Sequence, residues 1–178
     1  MTKKVAHFIR KSTQLKASFI QNQITNHIAY QPHIIYKYKS HKKDGGFADD
    51  NNKEIPILSL WENKSMFSKL FYKFFRLITH ENASQIKQYL YKNDVNILHF
   101  HYGTDSGIYL PLLKEINIPK IVSFYGYDAS GFANIYWNYG KSYLKNRVFK
   151  HADIILAMSP DMKKDLISIG CPENKIIV

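Results

Sequence analysis

His99 and His101 stand two residues apart in the apolar run ILHFHYGTDSGI (97–108), which then continues through Gly103 and a short Thr-Asp-Ser-Gly stretch. Residues two apart on a strand face the same side of a sheet, so the two imidazoles form a pair with Phe100 on the opposite face. With a third ligand, such a pair could hold zinc, and His7 in the first apolar run is the candidate for that position. No Cys or Glu lies near enough in sequence to complete a site. The expectation is therefore no metal, with His99 hydrogen-bonded inside the sheet and His101, at the strand's end, facing a binding crevice. A phosphate cradle would need glycines spaced so that several backbone N–H groups converge on the anion. YGTDSG has neither the P-loop nor the dinucleotide spacing, and it reads as a tight turn at Gly103 leading to a helix start around Thr104 to Ser106.

The elements that would position these groups are legible as short apolar runs alternating with helical-period stretches, the signature of a parallel sheet wrapped by helices. Strands are expected near 5–9, 33–38, 55–60, 96–101, 120–125 and 153–158, with another beginning at 176–178. Their near-continuous Ile, Val and Leu content fits strands buried on both faces. The fold class expected is α/β, a Rossmann-like doubly wound parallel sheet. SPDMKKDLISIG (159–170) is the clearest helix: Ser159 can cap it, Pro160 suits its first position, and Gly170 can close it. The segment from 36 to 54 is basic, then Gly-rich, then acidic, and is expected to be a solvated loop without apolar anchors in its middle. Ligands of such sheets bind beyond the carboxyl ends of the strands. That rule selects Arg10 to Thr13, His101 to Gly107, Tyr125 to Ser130 and Ser159. The usual strand order puts the first, fourth and fifth strands side by side, so their loops share one crevice.

At 178 residues and 45% hydrophobic content the chain fits one domain with its own core. Its single cysteine, Cys171, excludes an internal disulfide and a cysteine zinc cluster. No apolar run approaches the roughly 20 residues of a membrane span, and MTKKVAHFIRK returns to charge too soon for a signal peptide; a cytoplasmic location is expected. The net charge of +11 points to an anionic partner: nucleic acid, an acidic membrane surface or phosphorylated ligands. Abundant Lys, Asn, Ile and Tyr, as in a genome biased towards A and T, account for part of that excess.

Residues 66–78, MFSKLFYKFFRLI, carry Phe67, Leu70, Phe71, Phe74, Phe75 and Ile78 on one helical face, with Lys69, Lys73 and Arg76 opposite. Two readings stay open: a helix packed on the sheet, or an interfacial helix whose aromatics enter an anionic membrane surface while its basic residues meet lipid headgroups.

Four segments in order, LKASFIQNQI, ILHFHYGTDSG, IPKIVSFYGYDAS and HADIILAMSPDMKKDLISIGCPENKIIV, resemble the N-terminal half of family 4 glycosyltransferases of the GT-B fold, in the bacterial polysaccharide branch of colanic acid type. The resemblance covers nearly the whole chain. It implies that residues 1–178 are an acceptor-side Rossmann-like domain, and that a C-terminal nucleotide-sugar-binding domain with the paired glutamates lies outside this sequence. It further implies a retaining transfer from a nucleotide-sugar donor to a glycan or lipid-linked acceptor, with no metal and no cofactor, and with no catalytic residue in this half. Alone, the half is expected to be inactive. Substrate-binding residues carried over are His101, Gly103, Tyr125, Gly126, Asp128 and Ser18. Tyr125-Gly126-Tyr127-Asp128 stands where the family commonly has His-Gly-x-Asp, and Leu15-Lys16-Ala17-Ser18-Phe19 where it has Leu-Ser-Glu-Thr-Phe. The competing classes are a basic nucleic-acid-binding module, which would need aromatics interleaved with Lys or Arg on an exposed sheet, and a stand-alone sugar or nucleotide-binding domain. Buried strands disfavour the first, and no nucleic-acid partner is expected.

Overall fold

The structure, a computed structural model, describes residues 2–38, 47–48, 53–60, 66–135 and 137–178. Strand β1 (Lys3–Lys11) lies at the centre because all of Val5 to Ile9 is buried, leaving no face for water. β2 (Tyr30–Tyr38) flanks it on one side and β6 (Ile97–His101) on the other, and the seven-stranded sheet runs β5-β2-β1-β6-β7-β8-β9 with every pair parallel. The remaining strands of this sheet are β5 (Ile57–Ser59), β7 (Lys120–Ser123), β8 (Ile154–Leu156) and β9 (Ile176–Ile177). The α/β, Rossmann-like doubly wound arrangement expected from the alternating runs is thus present. The first, fourth and fifth sequence-expected strands are neighbours, as β1, β6 and β7.

Each face of the sheet is covered differently. On one, Phe8 and Phe100 stack at 4.2 Å with Tyr109 edge-on at 5.1 Å, under α3 (His80–Lys92) and α5 (Leu110–Glu115), which contribute Ile86, Leu90, Leu112 and Leu113 to the larger core. On the other, Ile9, Ile34 and Tyr36 meet Ile20 and Ile24 of α1 (Ser18–Thr25) in a smaller cluster. Helix α7 (Pro160–Ser168) begins as its sequence indicates, with the Ser159 side chain accepting from the Met162 N–H at 3.1 Å and Gly170 at φ 95 beyond its end. Cys171 is buried, and burial pushes its thiol up to about 12, which leaves it inert at neutral pH.

Three expectations need correction. The run 55–60 is not one strand, because Pro56 has no N–H to offer a ladder; β4 (Glu54–Ile55) instead pairs antiparallel with β3 (Phe47–Ala48), and only Ile57–Ser59 joins the main sheet. The same pairing supplies an apolar anchor to the 36–54 segment, since Ile55 is buried and Phe47 packs on the α1-side cluster; residues 39–46 and 49–52 lie outside the described residues. Helix α2 (Met66–Phe75) stops short of 78, because Arg76 takes φ 53 and Ile78 turns into the core, its N–H donating to the Ile108 carbonyl at 3.0 Å.

His33 on β2 shows how the core treats a titratable group. Its Nδ1 lies 2.9 Å from the Tyr89 hydroxyl, its Nε2 is buried with no partner among the described residues, and burial, with help from the Lys4 charge, holds its pKa down to about 4. Between that value and the ordinary 6.5 the unfolded chain binds the proton and the folded one does not. The stability this residue contributes is therefore complete above pH 6.5 and lost as pH falls towards 4. Urea titrations across this window should show a shallower loss for His33→Gln than for the native chain; parallel losses would assign the acid sensitivity to other groups.

Candidate functional site

The carboxyl ends of β1, β6 and β7 meet at a corner held by one buried carboxylate. β6 gives way after His101 to Tyr102, whose φ of 70 and ψ of 126 are costly for any residue but glycine, and the chain turns at once into α4 (Gly103–Ser106). Gly103 is required here by contact, since a Cβ would collide with the Phe124 ring. Asp128, 1% exposed, accepts from the Gly103 N–H at 2.7 Å through one oxygen and from the Tyr125 N–H at 2.9 Å through the other, so it ties the β6 loop to the β7 loop. Burial raises its pKa, and these two hydrogen bonds oppose the rise. Gly126 is required by conformation: its φ is 105, and nothing lies within 4 Å of where a Cβ would stand.

On the α1 side of this corner, His101 is fully buried and its Nδ1 lies 2.8 Å from the Tyr125 hydroxyl. That hydroxyl donates to Gln23 Oε1 at 3.0 Å, so it accepts from His101, whose Nδ1 must carry the proton. His101 Nε2 is then an acceptor for His7 Nδ1–H at 3.0 Å, and His7 Nε2 an acceptor for His27 Nε2–H at 2.8 Å. The four groups form a chain in which every donor points towards Tyr125. Burial lowers the pKa of His7 and His101 well below the usual imidazole range, with neighbouring imidazoles adding to the shift, and raises that of Tyr125; all are neutral at pH 7. His99 joins the group through Ser123 Oγ at 2.7 Å.

On the opposite side of Tyr102 lies a cleft of about 580 Å³, walled by Tyr72, Tyr102, Tyr127, Tyr139 and Tyr143 and reached by Arg10 and Arg76. Gln14 organises its floor: its Oε1 accepts from the Arg10 and Lys11 N–H groups at 2.8 Å each, and its Nε2 donates to Asp105 at 2.9 Å. Asp105 is also 3.4 Å from the Arg10 guanidinium; burial raises its pKa while Arg10 and Gln14 pull it back. Arg10 Nε is buried without a partner among the described residues. Of the five non-glycine residues with positive φ among the described residues, Arg76 and Tyr102 line the cleft, and Trp137 and Asn138 immediately precede its Tyr139. Such strain concentrates where function requires a shape that packing alone would not select.

The structure brings His101, Gly103, Tyr125, Gly126 and Asp128 together at one corner, but none of them lines the cleft: His101, expected to face a binding crevice, is fully buried behind Tyr125, whose hydroxyl takes its hydrogen bond, and Asp128 is spent bracing the loops. Ser18 is apart from them, exposed at the start of α1, although the adjacent Phe19 ring packs on Tyr125 at 4.7 Å. Tyr102 and Tyr127 lie in the strand-end stretches that the sequence selects, whereas Tyr72, Tyr139, Tyr143 and Gln14 fall outside them; for Tyr139 and Tyr143 the available signal is the density of Tyr from 125 to 143. Helix α2 turns Ser68 and Tyr72 inward, while Phe67 (70% exposed), Phe74 (71%) and Phe75 face outward with Lys69 and Lys73, and Phe71 is half-buried. Arg76 follows at the cleft rim, and Arg147 donates to the Phe75 carbonyl at 3.3 Å, fixing the helix end beside the cleft.

Comparison with known proteins adds the following. The sequence profile described as Glycosyltransferase Family 4 matches residues 46–178. No curated protein sequence matches. Among solved structures, sucrose-phosphate synthase from Thermosynechococcus elongatus superposes with TM-score 0.61 at 10% identity, over 93% of this chain and 45% of that one. The lipopolysaccharide outer core galactosyltransferase WaaB in its apo form gives 0.58 at 14%, over 98% and 44%. UDP-GlcNAc 2-epimerase from Neisseria meningitidis bound to UDP-GlcNAc gives 0.58 at 14%, over 99% and 45%. At these identities the likeness establishes the fold, that of one Rossmann-like half of a GT-B architecture, and the chain spans less than half the length of these three structures.

The Asp128 brace can be tested by removal. Asp128→Ala leaves the Gly103 and Tyr125 N–H groups without their acceptor, and each buried donor so orphaned costs roughly 1–3 kcal/mol. Urea unfolding should show a loss of about 2 kcal/mol or more; a loss below about 0.5 kcal/mol would mean that the loops hold each other without it.

Proposed function

The chain belongs to glycosyltransferase family 4, and from that premise we propose that it is the acceptor-binding domain of a retaining, metal-independent glycosyltransferase of bacterial surface polysaccharide synthesis. The observation that carries the proposal is the tyrosine-walled cleft with two arginines at the carboxyl ends of the strands. Aromatic faces offer a sugar ring broad apolar contact while their hydroxyls hydrogen-bond to its edge. Arg10 and Arg76 supply the charge-assisted donors that a phosphate or other anionic group on the acceptor needs. The nucleotide-sugar donor would be held mainly by a second domain bearing the paired glutamates, with Tyr125, Gly126 and the His101-backed corner meeting the transferred sugar from this side.

Helix α2 supports the further proposal that the acceptor is lipid-linked and that the protein works at the cytoplasmic face of an anionic membrane as a peripheral protein. No described helix is long and apolar enough to cross a membrane. Yet α2 presents its phenylalanines outward, and its end delivers Tyr72 and Arg76 to the cleft. Burying two Phe side chains is worth roughly 3–6 kcal/mol before ordering costs, and each nearby Lys or Arg adds about 1 kcal/mol at an anionic surface. Among the described residues the nucleic-acid reading finds no exposed face of the seven-stranded sheet to stack bases on; the stand-alone sugar-binding reading remains the rival.

Two measurements test these proposals. In calorimetry with a short-chain diphosphate-linked oligosaccharide, Arg76→Ala should weaken binding about tenfold or more, as expected for one charge-assisted hydrogen bond, whereas a neutral glycan should lose little. The 178-residue chain itself should turn over no nucleotide sugar, because the differential transition-state stabilisation would be divided between two domains; turnover by this chain alone, or indifference to Arg76, would overturn the reading. In liposome sedimentation, the native chain should bind acidic vesicles and Phe67→Ser/Phe74→Ser should lose most of that binding without unfolding, both rings being solvent-exposed already. Equal binding by the two would remove α2 as the anchor.

A further inference from the structure

We infer that His7, His99 and His101 form a buried binding site for one transition-metal ion of the zinc class, fixed between β1 and β6. Each residue offers one ring nitrogen, and the three atoms lie within 4.8 Å of one another. The backbone alone determines this meeting. The parallel register pairs His7 with His99 across the two central strands, and the two-residue repeat puts His101 on the same face. His7 Nδ1 and His101 Nε2 are 3.0 Å apart, near the spacing of about 3.3 Å that two nitrogens 2.0–2.1 Å from a tetrahedral zinc must have. The third ring is close behind, with centroid distances of 4.4 Å to His101 and 5.1 Å to His7.

The surroundings are those of a ligand set rather than of three stray imidazoles. Metal-ligating histidines generally give their other ring nitrogen to a partner that fixes the ring. Here His7 Nε2 has His27 at 2.8 Å, His101 Nδ1 has the Tyr125 hydroxyl at 2.8 Å, and His99 has Ser123 Oγ at 2.7 Å. Burial keeps all three in the neutral form that binds metal. The change on binding balances without loss of a proton. The proton of His7 Nδ1 moves to its Nε2, which then donates to His27, while His27 carries its own proton on Nδ1; His101 keeps the tautomer it already has. Three imidazoles without a carboxylate or thiolate suit zinc, cobalt, nickel or copper and not magnesium or calcium, and they leave one position for water.

None of the three ligands lines the tyrosine cleft, and His101 lies behind Tyr125 at the corner proposed to meet the transferred sugar, so the ion would hold that corner without itself touching the sugar. Its place is structural: it would pin β1 to β6 and, through Tyr125 and His27, steady the loops on the α1 side. The inference is independent of the transferase reading.

The test uses tag-free, metal-stripped protein. Cobalt(II) should give the visible ligand-field absorption of a tetrahedral ion, saturating at one equivalent and displaced by zinc, and one equivalent of zinc should raise the Tm while magnesium and calcium do not. His99→Gln and His101→Gln should each weaken zinc binding at least tenfold, and the exposed His80→Gln should not. Should the cluster variants fail to fold, nitrogen-15 spectra of the native chain decide the question, since zinc must shift the ring resonances of these three histidines together. Absence of the cobalt band, retention of zinc binding by the folded cluster variants, or zinc-induced shifts confined to other histidines would each overturn the inference.

Discussion

The corner of the molecule where ligands would arrive depends on one carboxylate placed between two peptide N–H groups. β6 and β7 run parallel, so their chains leave the sheet side by side at the same end, and each leaves backbone donors that the ladder no longer satisfies. Asp128 answers both at once, accepting from Gly103 and Tyr125. With the loops joined there, Tyr102 is held in a backbone conformation it would not choose, Gly103 is pressed on Phe124, and Tyr125 is aimed back over the sheet towards His101. The same buried charge explains why the corner is compact: a carboxylate with its donors removed could not stay in so dry a place.

Tyr102 divides this end of the sheet into two chemical compartments. One is dry and imidazole-rich, closed by Tyr125, Phe19 and α1. The other is an open cleft whose polar groups, Arg10, Gln14 and Asp105, are organised around one another. A parallel sheet with both faces covered forces this segregation, because polar side chains can be tolerated only where the strands end or where they satisfy one another. The imidazole group adopts the second solution and the arginine cleft the first.

Much of the fold is legible because buried parallel strands advertise themselves as unbroken apolar runs; VAHFI and NILHFH read as buried strands on their own, and the usual doubly wound order sets them side by side. What failed was local. Pro56 interrupts an apolar run that otherwise looks continuous, and only the hydrogen-bond requirement of a ladder reveals the break. Arg76 ends α2 two residues before the apolar pattern does, and Ile78, which the helical period assigns to the same face as Phe74, is spent in the core instead. Of the site, Asp128, Tyr125 and His101 are marked by their positions at strand ends, and strand order makes the His7 strand a neighbour of the His99 strand, while the register that sets His7 opposite His99 comes only from the structure. The cleft was less legible, since Tyr143 reaches it from a helix 39 residues away in sequence from the Thr104 carbonyl its hydroxyl meets. Gln14 and Asp105 become meaningful only as a pair.

The one-way chain of hydrogen bonds from His27 through His7 and His101 to Tyr125 also constrains how this sequence can drift. In a polarised chain each member is an acceptor on one side and a donor on the other, so exchanging one imidazole for a side chain of a different donor and acceptor order leaves a mismatch that its neighbours inherit. Single substitutions at these positions would be caught between two partners, whereas simultaneous replacement by apolar groups would release the whole set. The histidines at 7, 27 and 101 should therefore behave as one hereditary unit among related chains, present together or exchanged together, much as the bases of a stem change in pairs.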